Sequence, residues 1–177
     1  MSAVAPAPMD FHIRAAARED APLIRSLIRE LADYEKAPND AIVTEAQIRE
    51  TLFGPQRRAE VVIGCEGTEP VGFAVFFHNY STWLGRPGLY LEDLFVRSHA
   101  RGRGHGRRLL AHLAMIAEQR GCVRMEWAVL DWNTPAIGFY RAIGAVPMDE
   151  WTVYRLTGRS LSSLAGEGAR GDGASRP

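Results

Sequence analysis

The chain has 177 residues, 46% of them hydrophobic, which allows one substantial core and favours a single domain. Lys and Arg together number 21, as do Asp and Glu, so the formal net charge is zero. A nucleic-acid-binding protein needs a dominant positive charge to neutralise phosphates, so this balance argues against that class.

Cysteine usage and the amino-terminal segment predict the compartment. Cys65 and Cys122 are the two cysteines, and they have neither the spacing of a metal site nor that of a disulfide framework. We therefore expect reduced thiols and no bound metal. Residues 1–9 lack the apolar core of a signal peptide, and no apolar run approaches membrane-spanning length. These features predict a cytoplasmic protein that does not bind a membrane.

The first half of the chain predicts, in order, a strand, two helices and two strands, at residues 11–14, 20–34, 44–52, 60–65 and 71–79. Apolar residues recur at helical spacing in the first helix, and the strands are rich in β-branched and aromatic residues. Thr44, followed three residues later by Gln47, indicates a capping box at the start of the second helix.

The second half predicts a strand, a helix, a strand, a helix and a strand, at residues 90–96, 104–120, 125–130, 134–143 and 151–156. Gly121 and Gly144 end the two helices. Together the elements predict one α/β (α+β) layered domain over residues 10–157. We expect residues 1–9 to be disordered, and also residues 158–177, which are rich in Gly, Ser, Ala and Arg and lack aromatics.

A glycine-rich turn, Arg101-Gly102-Arg103-Gly104-His105-Gly106, joins the strand at residues 90–96 to the helix that follows. Glycines let the backbone approach an anion closely, and the first N–H groups of a helix have no internal partner. The turn therefore predicts a phosphate site, although an ordinary turn before a surface helix has the same composition. Its spacing differs from that of dinucleotide folds and of nucleoside triphosphatase loops.

This Arg-x-x-Gly-x-Gly turn resembles the pyrophosphate-binding signature of the GNAT superfamily of N-acetyltransferases. A second stretch, Asn133-Thr134-Pro135-Ala136-Ile137-Gly138-Phe139-Tyr140, is similar to that family's Asn-x-x-Ala/Ser-x-x-Phe-Tyr pattern. The resemblance implies a mixed central sheet flanked by helices, with splayed central strands that admit the pantetheine of acetyl-CoA. The cofactor-binding residues it implies are Leu94, Phe95, Val96, Arg101, Gly102, Arg103, Gly104, His105, Gly106, Asn133 and Tyr140.

Two further stretches, Tyr80-Ser81-Thr82-Trp83-Leu84-Gly85-Arg86 and Tyr90-Leu91-Glu92-Asp93, resemble the diamine acetyltransferases, which include spermidine/spermine and thialysine enzymes. The resemblance implies that Glu92 is the catalytic base and that Tyr140 gives a proton to the leaving sulfur. It also implies a homodimer. The residues expected to bind the substrate are Glu30, Ser81, Thr82, Trp83, Glu92, Asp93, Glu126, Glu150 and Trp151.

The sequence thus predicts an enzyme that transfers acetyl from acetyl-CoA to a primary amine of a small molecule by direct attack in a ternary complex. Small hydroxyls at Ser81 and Thr82 favour thialysine or a lysine analogue over a diamine or polyamine. Two alternatives stay open: a protein lysine or N-terminal acetyltransferase of the same fold, and a non-catalytic acyl-CoA sensor. In simpler interpretations Tyr140 packs in a core, and Glu92 and Asp93 are merely solvated.

Overall fold

The computed structural model describes residues 10–171, which form two compact units that divide between Ala128 and Val129. The amino-terminal segment predicted to be disordered, residues 1–9, lies outside the described residues, as does the end of the predicted tail, residues 172–177. Over the described range, no helix is both long and apolar enough to cross a membrane.

The first unit is built on one mixed five-stranded sheet, in which the strands lie side by side in chain order. The first four strands pair antiparallel, and the fifth is parallel to the fourth. The strands are β1 (Phe11–Ala15), β2 (Glu60–Glu66), β3 (Glu69–Ser81), β4 (Arg86–Val96) and β5 (Met125–Trp127). The helices of this unit are α1 (Ala21–Tyr34), α2 (Glu45–Phe53) and α3 (His105–Gln119). This mixed sheet with its helices confirms the predicted fold class.

The main hydrophobic core joins one face of the sheet to α1 and α2. Helix α1 contributes Ile24 and Leu27, both fully buried, and the sheet contributes Phe73 and Phe95, whose rings meet edge to face at 6.5 Å. The apolar periodicity that predicts α1 is therefore the stripe that the core covers. Helix α3 supplies a second buried stripe, which includes Leu109 and Leu113.

Local signals in the sequence set the starts of the helices. The predicted capping box of α2 is confirmed, because Thr44 Oγ1 accepts from the Gln47 N–H at 3.2 Å and Gln47 Oε1 accepts from the Thr44 N–H at 2.8 Å. Helix α3 begins after Gly104, whose φ of +82° is a left-handed conformation that glycine adopts without strain.

The second unit contains α4 (Thr134–Ala142) and α5 (Gly158–Gly171). Two predictions are wrong here. The predicted strand over residues 151–156 has no regular structure, because a lone strand needs a neighbour to satisfy its backbone and this unit contains no other strand among its described residues. The predicted disordered tail is helical over Gly158–Gly171, since a helix bonds its own backbone internally even where glycine is frequent.

Candidate active site

The fourth strand contains a β-bulge at Glu92. In the pairing of β3 with β4, Val75 lies opposite Asp93 and the next residue, Phe76, lies opposite Leu91, so Glu92 has no partner of its own. A bulge inserts one residue into a strand and redirects its side chains. Asp93 consequently lies on the same face as Val75, a member of the core against α1.

The strand β4 is paired on both sides only up to Leu91. The parallel pairing with β5 ends at Leu91 and Trp127, whereas the pairing with β3 continues to Val96. Among the described residues of the first unit, 10–128, no strand therefore lies beside residues 92–96 on the β5 side. An open strand edge presents unpaired N–H and C=O groups, so this stretch can bind an extended amide-containing ligand.

The glycine-rich loop follows directly on this open edge. Gly102 and Gly104 both have positive φ, and a Cβ at either position would meet no atom within 4 Å. The first backbone bond of α3 runs from the Arg108 N–H to the Gly104 carbonyl, so the N–H groups of residues 102–107 precede the helical pattern. Open space beside unpaired N–H groups at a helix start is suited to a phosphate.

The loop arginines point their guanidinium groups at the protein. Arg101 donates to the Val96 carbonyl at 2.8 Å and lies over the ring of Tyr34 at 4.3 Å. Arg103 donates to the carboxylate of Glu66 and to the His99 carbonyl. Both side chains are thus bonded to the protein and hold the loop in place.

Three carboxyl groups gather near the bulge of β4. Burial, together with the neighbouring charges of Glu92 and Glu35, raises the pKa of Asp93 to about 6. Glu35 follows the last residue of α1, and partial shielding from water raises its pKa as well. Sequence reasoning assigned no role to Glu35; its place at the carboxyl end of α1 becomes informative only once α1 is packed against β4.

The carboxylate of Glu30 is already paired. It accepts from Arg97 Nη2 at 2.7 Å and from Arg97 Nε at 2.9 Å, and this bonding holds the pKa of Glu30 below its usual range. Ser26 donates a third hydrogen bond, at 3.1 Å. Glu30 therefore fastens α1 to the end of β4 and does not present an unpaired carboxylate.

The Ser81–Trp83 segment lies at the tip of the β3–β4 hairpin. The Ser81 Oγ accepts from the Leu84 N–H at 3.3 Å, and the side chain of Trp83 is 88% exposed. Glu92 lies six positions after Arg86, the first residue of β4, which is about 20 Å of extended chain. Within this chain the structure therefore does not bring the hairpin tip together with the carboxyl groups at the bulge.

Glu126 lies on β5 opposite Tyr90. Its carboxylate accepts from Asn79 Nδ2 at 2.7 Å and from Arg124 Nε at 2.9 Å. The hydrogen bond from Asn79 ties β3 to β5 across the β4 strand, and the ion pair with Arg124 lies at the start of β5. Glu126 is thus a bonded part of the sheet surface rather than an isolated charge.

The second unit holds the remaining predicted site residues. Asn133 is buried and precedes α4, where its Oδ1 accepts from the Ala136 N–H at 3.4 Å, and Tyr140 follows two turns along the helix. Glu150 and Trp151 are exposed and lie in the irregular stretch between α4 and α5. The predicted helix that carries Asn133 and Tyr140 therefore forms.

The raised pKa of Asp93 predicts a stability effect with a definite sign. The folded chain holds this proton more tightly than the unfolded chain, whose Asp has a pKa near 3.8, so stability from this group is present below pH 4 and is lost as pH rises through 6. We expect Asp93→Asn to raise the free energy of unfolding by about 3 kcal/mol at pH 7.5, and by roughly half of that at pH 5. Urea unfolding at both pH values measures the difference.

Asp40→Asn, at an exposed position, is the matched control for that measurement and should change little at either pH. Equal effects of the Asp93 variant at the two pH values would contradict the electrostatic explanation, because a packing change does not titrate.

A sheet whose fourth strand opens beside a glycine-rich loop, with carboxyl groups at the opening, is compatible with an acyl-transferring enzyme. The model of the Acetyltransferase (GNAT) family matches residues 24–145, more than half of the chain. The chain therefore belongs to the GNAT acetyltransferase family and is an acetyltransferase.

Relatives agree with this assignment over nearly the whole chain, and a solved structure shares the fold. The chain is 37% identical to the thialysine N-epsilon-acetyltransferase of Bos taurus, over 88% of this chain and 97% of that protein. It is 29% identical to the L-ornithine N5-acetyltransferase of Arabidopsis thaliana, over 86% of each. An integron cassette protein from the mobile metagenome of Vibrio cholerae has a similar structure, with a TM-score of 0.76, 29% identity and coverage of 89% and 98% of the two chains.

Proposed function

We propose that this enzyme transfers acetyl from acetyl-CoA to a side-chain amine of a small amino acid, of which thialysine is the best model. The observation that carries the proposal is that three features lie together: the open edge of β4, the glycine-rich loop with room for phosphates, and the carboxyl groups at the bulge. The carboxyl groups attract a cationic amine. The relatives support the amine class, since those compared above carry thialysine and ornithine in their names.

The residues of the first unit fit the cofactor. The backbone of Leu94, Phe95 and Val96 lies on the open edge of β4, where an amide-rich pantetheine arm can bond as a strand does. The cradle from Gly102 to Gly106 has room for phosphates, because Cβ atoms at its glycines would meet nothing within 4 Å. Bound here, acetyl-CoA supplies the thioester whose carbonyl carbon the amine attacks.

The carboxyl groups at the bulge prepare the amine. An alkylammonium has a pKa near 10 and must lose a proton before it attacks. Asp93, ionised at neutral pH, holds the cation, and Glu92 takes the proton through a water molecule. The exposed position of Glu92 gives water access to its carboxylate. No nucleophilic residue of the protein is needed, because the amine itself attacks.

Tyr140 is the proposed acid. A neutral phenol held beside the departing sulfur can give it a proton. Asn133, at the start of the same helix, is the proposed partner of the pantetheine. Both roles follow from the family pattern that these residues match, Asn-x-x-Ala/Ser-x-x-Phe-Tyr.

We propose a homodimer in the cytoplasm. The hairpin tip at Ser81–Trp83 lies far from Glu92 in its own chain, so if it selects the amine it does so in the site of a second copy. The exposed Trp83 at this tip supports a contact surface of that kind. The two free cysteines, Cys65 and Cys122, are compatible with a reducing compartment. Light scattering of the purified chain measures the oligomeric state.

An amine panel tests the substrate. We expect kcat/KM for thialysine to exceed that for spermidine by about tenfold, the effect of one well-placed polar contact near 1.4 kcal/mol. The panel should also contain lysine, ornithine and a lysine-containing peptide, with acetyl-CoA held at saturation.

Each other outcome of the panel supports a different function. A higher value for spermidine would mean that the acidic residues, and not the hydroxyls of the hairpin tip, set the choice. Efficient transfer to the peptide would favour the protein acetyltransferase. Binding of acetyl-CoA without turnover of any amine would favour the sensor.

A further inference from the structure

An ionic cluster around a buried carboxylate joins the glycine-rich loop to the first two strands of the sheet. Glu66, the last residue of β2, is only 5% exposed. Its carboxylate accepts from Arg103 Nη1 at 2.8 and 3.0 Å and from His105 Nε2 at 2.5 Å. Arg103 and His105 flank Gly104, one of the two left-handed glycines of the loop. One carboxylate therefore holds the loop on both sides of Gly104.

The rest of the cluster fastens the first turn of α3 to β1. The His105 ring is 6% exposed and stacks on Phe11, with ring centroids 4.1 Å apart and planes 6° from parallel. Arg108 donates to the Phe11 carbonyl at 2.6 Å and lies over the same ring. Gly64 leaves room for this arrangement, since a Cβ there would lie 2.7 Å from the Phe11 ring.

The charges within the cluster are balanced. Hydrogen bonds from His105 and then from Arg103 hold the pKa of Glu66 below its usual range, so the carboxylate is ionised at neutral pH. His105 Nδ1 is buried without a hydrogen-bond partner among the described residues, which fits a ring that carries its proton on Nε2 and donates it to Glu66. Arg103 supplies the compensating positive charge, so the carboxylate does not repel an anion at the loop.

We propose that Glu66 is a positioning residue for the phosphates of the acyl donor. It touches neither donor nor amine. Through Arg103 and His105 it keeps the loop in the conformation in which residues 102–107 leave their N–H groups without backbone partners. The proposal rests on the proposed use of acetyl-CoA, because the N–H groups it orients are those assigned to the phosphates.

Acyl donors with and without phosphates show whether Glu66 positions the phosphate-binding loop or only stabilises the fold. CoA and acetyl-CoA carry the phosphates, whereas pantetheine and S-acetylpantetheine have the same thiol arm without them. A residue that orients the phosphate cradle affects binding of the first pair alone. A residue that only stabilises the fold affects both pairs alike.

The test compares Glu66→Gln with Glu60→Gln. Glu60 starts the same strand and pairs with Arg120 just after the end of α3, so its substitution breaks an ion pair between the same two elements at the end remote from the loop. We expect Glu66→Gln to raise the dissociation constant of CoA in calorimetry by about tenfold, and the KM for acetyl-CoA likewise, with the amine KM unchanged. Pantetheine binding and kcat/KM for S-acetylpantetheine should stay at the wild-type level, as should all values for Glu60→Gln.

Arg103→Gln keeps the test decisive if Glu66→Gln does not fold. The Arg103 side chain is half exposed, so its loss spares the core, and we expect a smaller CoA-specific effect of about threefold. Unchanged CoA affinity in a folded Glu66 variant, or an equal loss for pantetheine, would overturn the proposal. If the wild-type enzyme binds no CoA and uses neither acetyl donor, the proposed function fails, and with it the basis for assigning Glu66 this role.

Discussion

Tyr140→Phe is expected to lower kcat by roughly ten- to a thousandfold, with little change in the affinity for acetyl-CoA. The substitution keeps the aromatic ring on α4, two turns after Asn133, and removes only the phenolic proton. If that proton stabilises the leaving sulfur, the loss falls on the chemical step. The measurement is single-turnover transfer to thialysine under conditions where chemistry limits the rate.

Tyr154→Phe is the matched control for this experiment. Tyr154 belongs to the same unit, is 92% exposed and has no proposed role, so removing its hydroxyl should leave kcat at the wild-type value. Wild-type turnover in Tyr140→Phe would remove the acid assignment and return Tyr140 to a packing role. A parallel loss of thermal stability in Tyr140→Phe would point the same way.

Gly104→Val is expected to weaken CoA binding by well over tenfold while the protein stays folded. Gly104 has a φ of +82°, a left-handed conformation that strains a residue with a Cβ by about 1–2 kcal/mol. A Cβ there would meet no protein atom within 4 Å, so the side chain would project into the space assigned to the phosphates. Calorimetry with CoA measures the affinity, and circular dichroism verifies the fold.

Gly121→Val separates backbone strain from obstruction of the cradle. Gly121 has a φ of +69° and also has no atom within 4 Å of a Cβ, but it lies beyond the far end of α3. We expect the two variants to lose similar stability and only the Gly104 variant to lose CoA affinity. Equal CoA affinities in the two folded proteins would exclude the loop from the cofactor site.

Local patterns in the sequence were sufficient for most of the fold. The stripe of α1, the capping box at Thr44 and the runs that form β2 to β4 were predicted from nearest-neighbour chemistry, because each is stabilised by contacts a few residues apart or by burial of one face. The family signature in the loop likewise depends on short spacing, and residues 24–145 match the family model.

The candidate site was only partly predictable, because its chemistry depends on partners that are distant in the chain. Glu30 is a plausible cation ligand in the sequence, yet in the fold it is paired with Arg97, which follows it by 67 residues. Nothing local distinguishes Glu92 from other strand carboxylates, because a bulge is defined only by the register with β3.

The sequence by itself determined the family, the order of most elements and the place of the glycine-rich loop, since these depend on local spacing and periodicity. Only the tertiary structure decided the surroundings of each carboxyl group. Asp93 is partly buried, and the charge of Glu66 is neutralised by Arg103. It also decided that residues 151–156 form no strand, whereas the helix over Gly158–Gly171 needs no distant partner. The physical reason is that a strand depends on a neighbour elsewhere in the chain, whereas a helix satisfies its own backbone.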